Sequence, residues 1–391
     1  MKKVLLVITL IGLLIVSCEQ STEPTVENDQ AGSLERGAPI ENQYIVVYKD
    51  LDGAGLGKPA AVREITESLF KANDIAIEKQ KMIFAHSIRG VVANINKSEA
   101  EKLTRDPRVR YVEQDRVFTL GKPPWAGGGG GDDPEPSQVT PWGITRVGGG
   151  TSSSNVTAWI IDTGIDLDHP DLNVDAARSV TMFSNGKDGD SADDLNGHGS
   201  HVAGTVGAID NGIDVVGVAP GITLVAVKVL DRRGSGSYSG VIAGVNHVAA
   251  NAANGDVANM SLGGPASQAL DDAVVAAAAS GVKFALAAGN ESDDAQFHSP
   301  ARANHSNIYT VSSFAEGDVW SSFSNYGNPP VDVAAPGSSI LSTYKNGGTA
   351  TLSGTSMAAP HVCGLLALGN LGTDGTVSGD PDGNPDPIAH N

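Results

Sequence analysis

Gly354-Thr355-Ser356-Met357-Ala358-Ala359-Pro360-His361 sets a serine among small residues, where a Gly-Thr turn becomes an apolar helix that continues through Val362-Cys363-Gly364-Leu365-Leu366-Ala367-Leu368. A serine hydroxyl is a poor nucleophile unless a base takes its proton. A helix N-terminus leaves backbone N–H groups unpaired and partly positive, which suits an oxygen becoming an oxyanion. Gly354 and Ala358 leave room for a substrate backbone. Ala358 stands where G-x-S-x-G needs its second glycine, which disfavours the nucleophile elbow of α/β-hydrolases. Taken alone, Ser356 reads equally well as a helix N-cap, the commoner role for serine at such a place.

Two other stretches break the tie. Ala158-Trp159-Ile160-Ile161-Asp162-Thr163-Gly164 is an apolar run ending in an acid and a glycine. It reads as a buried parallel strand with Asp162 at its C-terminal edge, where open α/β sheets place their chemistry. Asn196-Gly197-His198-Gly199-Ser200-His201-Val202-Ala203 puts a glycine-flanked histidine at the start of a small-residue helix. A base must reach the serine, and an acid must hold that base in the right tautomer. Asp162, His198 and Ser356 supply those groups.

The chain resembles the subtilisin family (subtilases), in particular its proteinase K branch. The three boxes come in the family's order Asp, His, Ser. The likeness extends over Pro141–Leu368 through Val227-Lys228-Val229-Leu230-Asp231, Gly234-Ser235-Gly236-Ser237-Tyr238-Ser239, Ser261-Leu262-Gly263-Gly264, Ala287-Ala288-Gly289-Asn290 and Ser322-Phe323-Ser324-Asn325-Tyr326-Gly327. It implies a serine endopeptidase cleaving polypeptides through an acyl-enzyme. Asn290 corresponds to the family's oxyanion asparagine, beside the Ser356 N–H. Loss of such a side chain costs about 10²–10³ in turnover, a magnitude that comes from subtilisin itself. Gly234-Ser235-Gly236 and Ser261-Leu262-Gly263 resemble the two edges that hold substrate as an added β-strand. Ala287-Ala288-Gly289 is expected to line part of the first specificity pocket. With small residues there and no acid evident, that pocket is expected to be broad and to favour apolar or aromatic side chains.

The resemblance also implies structural calcium, which takes carboxylate, amide and carbonyl oxygens. Gln138, Asp171 and Asn211 match family ligands, with backbone carbonyls from Ile209, Ile213 and Val215, and Asp332 resembles a ligand of a second, weaker site. The alternative is that these are loop residues forming turns. No organic cofactor is implied. His198 and His201 lack the H-E-x-x-H arrangement, which disfavours a zinc protease. Cysteines common in the branch are missing here: Val202 occupies one such place, and Cys18 and Cys363 are the only two in the chain. Cys363 reads as a buried small apolar residue.

Composition bounds the rest. Net charge is −19, which excludes nucleic acid as a partner because phosphate binding relies on basic patches. The charge is uneven. Residues 41–118 carry 13 Lys/Arg and 12 Asp/Glu, whereas residues 137–391 carry 9 and 25. Residues 1–18, with Met1-Lys2-Lys3, apolar Val4–Val16 and Ser17-Cys18, have the layout of a signal peptide. Ile15-Val16-Ser17-Cys18 also resembles a lipoprotein box, and that reading is preferred over an incidental cysteine, so Cys18 would carry a lipid anchor on the precursor. Residues 19–40 read as a disordered tether.

Residues 41–118 read as a small β-α-β-β-α-β unit, ferredoxin-like in its order. Strands are expected at Tyr44–Tyr48, Ile75–Ile83, Gly90–Ile95 and Val109–Asp115. Helices are expected at Ala60–Ala72 and from Ser98, which with Glu101 forms a capping box. The unit resembles the inhibitor-like propeptide of subtilases, which templates folding and blocks the active site with its C-terminal tail, here Tyr111 to about Leu120. Residues 119–136, with a five-glycine run, read as an exposed linker and the place of maturation cleavage. From residue 137 to 369 buried strands alternate with helices, which predicts an α/β domain with a parallel sheet covered on both faces. Residues 370–391, rich in Gly, Asp and Pro, are expected to be a flexible acidic tail. Besides an exported peptidase made as a zymogen, two readings stay open. One is a catalytically silent surface protein that binds polypeptides, the other an esterase using the same triad.

Overall fold

A computed structural model of the chain describes residues 35–49, 55–121 and 137–391. The expected signal peptide with Cys18, the first part of the tether and most of the linker lie outside the described residues.

The N-terminal domain holds β1 (Pro39–Tyr48), α1 (Pro59–Ala72), β2 (Gln80–Phe84), β3 (Gly90–Asn94), α2 (Lys97–Thr104) and β4 (Val109–Thr119). Its strands pair antiparallel in the order β2-β3-β1-β4. Val62, Thr66, Leu69 and Phe70 form the buried stripe of α1, spaced as one helix face, and they pack on Val46 and Val91 of the sheet. Three expectations shift. Ile77–Lys79 forms a 3-10 turn, so β2 begins only at Gln80. The capping box is Asn96 with Glu99, not Ser98 with Glu101, because Asn96 caps as well as serine and starts the helix earlier. The tether ends before residue 40, since Pro39 already pairs with Arg116 and Gly37 N–H donates to Val117 O.

The main domain continues with α3 (Trp142–Arg146), β5 (Thr157–Asp162), β6 (Val180–Thr181), α4 (Gly186–Asp190), α5 (His198–Gly207), β7 (Thr223–Lys228), β8 (Ser235–Ser237), α6 (Tyr238–Asn251) and β9 (Val257–Met260). Then come β10 (Gly264–Pro265), α7 (Gln268–Ala279), β11 (Lys283–Ala287), β12 (His298–Ser299), β13 (Ile308–Ala315), β14 (Val319–Trp320), β15 (Val331–Pro336), β16 (Ile340–Tyr344), β17 (Gly348–Leu352), α8 (Thr355–Leu368), β18 (Gly372–Thr376) and β19 (Pro387–His390). The large sheet runs β6-β7-β5-β9-β11-β13-β15-β19-β18, parallel as far as β19. All six residues of β5 are buried, as expected of a strand covered on both faces. Helices α5 and α8 share one core with one face of the sheet, and α6 and α7 share a second core with the other. The chain leaves β5 for β7 on one side and later returns to β9 on the other. That reversal opens a crevice at the strand ends, where Asp162 lies.

The expected flexible tail is instead part of the sheet. Ile388 of β19 pairs with Ala334 of β15, and Ile388, Val377 and Phe314 form a small buried cluster. A reading by composition weighs the Gly, Asp and Pro of the intervening turn. It misses that two short apolar stretches are enough to cover a sheet edge. Cys363 is buried in the core with its thiol pushed well above the usual range by burial, in keeping with a packing role.

The N-terminal domain docks on α6 and α7. Ile45, Val47, Phe84 and Phe118 join the core on that face. Asn246 Oδ1 accepts the backbone N–H groups of Ala85, His86 and Ser87 at 3.0, 2.8 and 3.2 Å. Two carboxylates of β4 meet helix N-termini. Asp115 accepts from Ser239 N–H at 3.1 Å and Ser239 Oγ at 2.5 Å, and Glu113 accepts from Ala269 N–H at 3.1 Å. Anions are stabilised there by unpaired N–H groups and the helix dipole. Because Asp115 is fully buried, Asp115→Ala should lower precursor stability by about 1–3 kcal/mol, measured by urea unfolding of the Ser356→Ala chain.

Candidate active site

Asp162 ends β5 and is fully buried. Its Oδ1 accepts from Thr163 N–H at 2.7 Å and from His198 Nδ1 at 2.7 Å. Bonding through Nδ1 leaves the other ring nitrogen, Nε2, to act as base. His198 opens α5 behind Gly197, which has a φ of 108° and lies so close to Tyr344 that a Cβ would come within 2.3 Å of the ring. Only glycine fits there. Burial works against the imidazolium, but the Asp162 charge and hydrogen bond, with the Asp194 charge, outweigh it and raise the His198 pKa above the ordinary value.

Ser356 is the second residue of α8. Its Oγ donates to Ser261 O at 3.0 Å, while Ser261 Oγ donates back to Ser356 O at 2.6 Å. Pro360 makes the second bond available, because a proline four residues on cannot donate to the Ser356 carbonyl. Among the described hydrogen bonds none joins Ser356 Oγ to His198. Both residues face one cavity of about 320 Å³, and rotation about the serine Cα–Cβ bond turns the hydroxyl into it. Catalytic contacts are often loose before substrate binds. Asn290 lies on the cavity wall with its Oδ1 taken by Thr355 N–H at 2.8 Å and Thr355 Oγ1 at 3.0 Å. That orientation frees its amide N–H₂ as a donor.

The expected substrate edges flank this cavity. Ser261, Leu262, Gly263 and Gly234 line it. Ser235 and Gly236 pair with Thr119 and Phe118 of β4, and Leu120 N–H donates to Gly234 O at 2.8 Å. The tail of the N-terminal domain is thus an added strand, and its Leu120 reaches the cavity. Ala288 does not line the cavity. It turns into a buried cluster with Ala295, Ala301 and Val331, and the wall is Ala287 and Gly289. Gly289, at φ 112°, lies against Asn325, whose Nδ2 would be 2.2 Å from a Cβ. The expectation of a pocket without an acid fails as well, since Glu291 lines it and pairs with Arg36. Glu291 directly follows Asn290, so the acid was visible in the sequence and its direction was not.

Sequence reasoning missed two further buried supports. Asp194 accepts from Gly197 N–H, Ser200 N–H and Thr163 Oγ1 at 2.8–2.9 Å, bracing the start of α5. Lys228 is fully buried, with its ammonium on Thr163 O at 2.6 Å and 3.2 Å from Asp188. An acid four residues before His198 was the available signal for the first.

The expected calcium residues come together only in part. Asp171 is fully buried and accepts from Asn211 Nδ2 at 2.9 Å and Val215 N–H at 3.2 Å. Gln138 Nε2 donates to Ile209 O at 3.2 Å and Val215 O at 3.4 Å. Ile213 contributes an N–H to Asn211 Oδ1 at 3.0 Å rather than a shown carbonyl. Asp332 is spent on Thr310 N–H at 2.8 Å. Burial pushes the Asp171 pKa up to about 7.

Residues 153–370 match the subtilase family of peptidases, and residues 43–121 match the peptidase inhibitor I9 family. The chain belongs to the subtilase family. An alkaline serine exoprotease A of Vibrio alginolyticus is 42% identical over 340 residues, covering 84% of this chain and 60% of that protein. An extracellular serine proteinase of a Thermus species is 38% identical, covering 92% and 88%. A crystal structure of a cold adapted subtilisin-like serine proteinase aligns with a TM-score of 0.54 at 40% identity, covering 64% of this chain and 97% of the other. For this subtilase, with His198 in the expected role of base, its environment predicts the pH response. The base must be neutral to accept a proton, so kcat/KM should rise with pH through a midpoint above the ordinary imidazole value. Asp162→Asn should move that midpoint down and cut kcat by about 10⁴, read from pH-rate profiles.

Proposed function

We propose that the chain is an exported serine endopeptidase made as a zymogen, with Asp162, His198, Ser356 and Asn290 as its machinery. The observation that carries this is the 2.7 Å link between Asp162 and His198 on a cavity that also holds Ser356. His198 Nε2 takes the Ser356 proton as Oγ attacks the peptide carbonyl. Asp162 holds the ring and stabilises it once charged. The oxyanion meets two donors, the Ser356 N–H and the Asn290 amide. The proton then passes to the leaving amine, and water repeats the sequence on the acyl-enzyme. Substrate backbone pairs with Gly234–Gly236 on one side and Ser261–Gly263 on the other. The tail strand of the I9 domain supports this, since it lies on the first of those edges. All four positions keep their chemical groups, which leaves a silent polypeptide-binding reading without support. Wild-type enzyme should be labelled by a fluorophosphonate and Ser356→Ala should not, by mass spectrometry. Equal labelling would refute the assignment.

Export, with a lipid on Cys18 of the precursor, is the reading the first eighteen residues support. Calcium at Asp171 is proposed on the chemistry of its donors. A buried carboxylate with a pKa raised to about 7 is destabilising when ionised, and a cation offsets that cost. Ile209 O, Val215 O and the amides of Gln138 and Asn211 would complete the site once those amides turn their oxygens inward. Asp171 would be the one carboxylate of that site: among the described residues no group of three acidic, histidine or cysteine side chains gathers there or elsewhere. Calcium should raise the Tm of Ser356→Ala precursor by about 5–10 °C at pH 8, and Asp171→Asn should abolish that increment in calorimetry.

A further inference from the structure

Arg36 comes from the arm ahead of β1, at the opposite end of the N-terminal domain's sequence from the tail strand, yet it reaches the same cavity as Ser356. A turn carries it there. Ala38 N–H donates to Glu35 O at 2.9 Å, and Gly37 takes a φ of 79° against Pro265. The arm is pinned to the tail by Gly37 N–H to Val117 O at 2.9 Å and Val117 N–H to Ala38 O at 2.8 Å. The guanidinium pairs with Glu291 through Nη1 and donates to Gly263 O through Nη2. Both side chains are about three-quarters buried, with 26% and 29% of their surface exposed. Gly263 lies on the edge assigned to substrate, and Glu291 on the cavity wall beyond Gly289.

We infer that Arg36 is a second inhibitory contact, which occupies the Glu291–Gly263 side of the cleft while the tail strand occupies the Gly234–Gly236 side. The inference rests on the reading of this cavity as a peptidase active site. Its consequence is topological. Cleavage anywhere after Gly121 frees the end of the tail, but the arm is continuous with β1 and stays in place until the whole domain leaves. The cleaved complex therefore keeps, beside the pairing of Val117–Thr119 with Ser235–Ser237, a second contact that depends on charge.

The test uses the full chain. Wild type, Arg36→Ala and Arg36→Lys precursors are refolded, cleavage is followed by gel, and peptidase activity is followed against a chromogenic peptide. With similar cleavage, Arg36→Ala should shorten the lag before activity several-fold, and Arg36→Lys should restore part of it. Added salt should shorten the wild-type lag more than that of Arg36→Ala, because a partly exposed ion pair is screened and, of the described ion pairs between the two domains, Arg110–Asp272 then remains. Fully matured enzyme from all three should have one kcat/KM, since Arg36 is then gone. Equal lags at equal cleavage would overturn the inference while leaving the peptidase reading standing. Should Arg36→Ala not accumulate, a salt-independent wild-type lag overturns it in the same way. Loss of the proposed function would show differently, as no activity from any precursor at any time.

Discussion

The hydrogen bond between Asp162 and His198 joins two pieces of backbone that sequence separates and the parallel sheet brings together. Asp162 sits where β5 ends, and His198 where α5 begins. Everything else at the site is arranged around that junction. Gly197 allows the helix to start against Tyr344, Asp194 ties its first N–H groups, and Lys228 fixes the turn that follows Asp162. A carboxylate with no exposure is tolerable only because its charge is met by a histidine and an N–H. The sheet order supplies the position, and burial supplies the strength.

Ser356 is held by a different device. Its carbonyl is left open by Pro360 and is taken by Ser261, whose own carbonyl receives the Ser356 hydroxyl. A proline that would weaken an ordinary helix here ties α8 to the loop after β9. Ser356 is thus tied to Ser261 through both its carbonyl and its hydroxyl, and the hydroxyl must leave the Ser261 carbonyl to meet His198. This arrangement explains why the second turn of α8 tolerates a residue with no N–H.

Much of this was legible before any coordinates. Trp159-Ile160-Ile161 announced a strand buried on both faces, and the three boxes pointed to residues that the fold brings together, Asp162 on His198 and His198 with Ser356 on one cavity. The sheet with helices on both faces followed from alternation alone. What escaped depends on direction rather than type. Ala287 and Ala288 are equally small, and only the strand's pleat decides that the second faces away. Glu291 and Arg36 are ordinary charged residues until the fold points both into one cavity. Asn96 outcompeted Ser98 as a cap because the preceding chain lets α2 begin earlier. Ile388 and Val377 looked like strays in a polar run, and found partners only because β15 would otherwise be an uncovered edge.

Glu113 and Asp115 belong to the domain that leaves, yet they complete two helices of the domain that stays. Its departure strips Ser239 and Ala269 of their acceptors and bares the apolar face that Phe84 and Phe118 had covered. The liberated catalytic half then lacks some of the contacts that shaped it. A copy that unravels after the proposed maturation would have to regain its shape without those two acceptors and without that apolar cover.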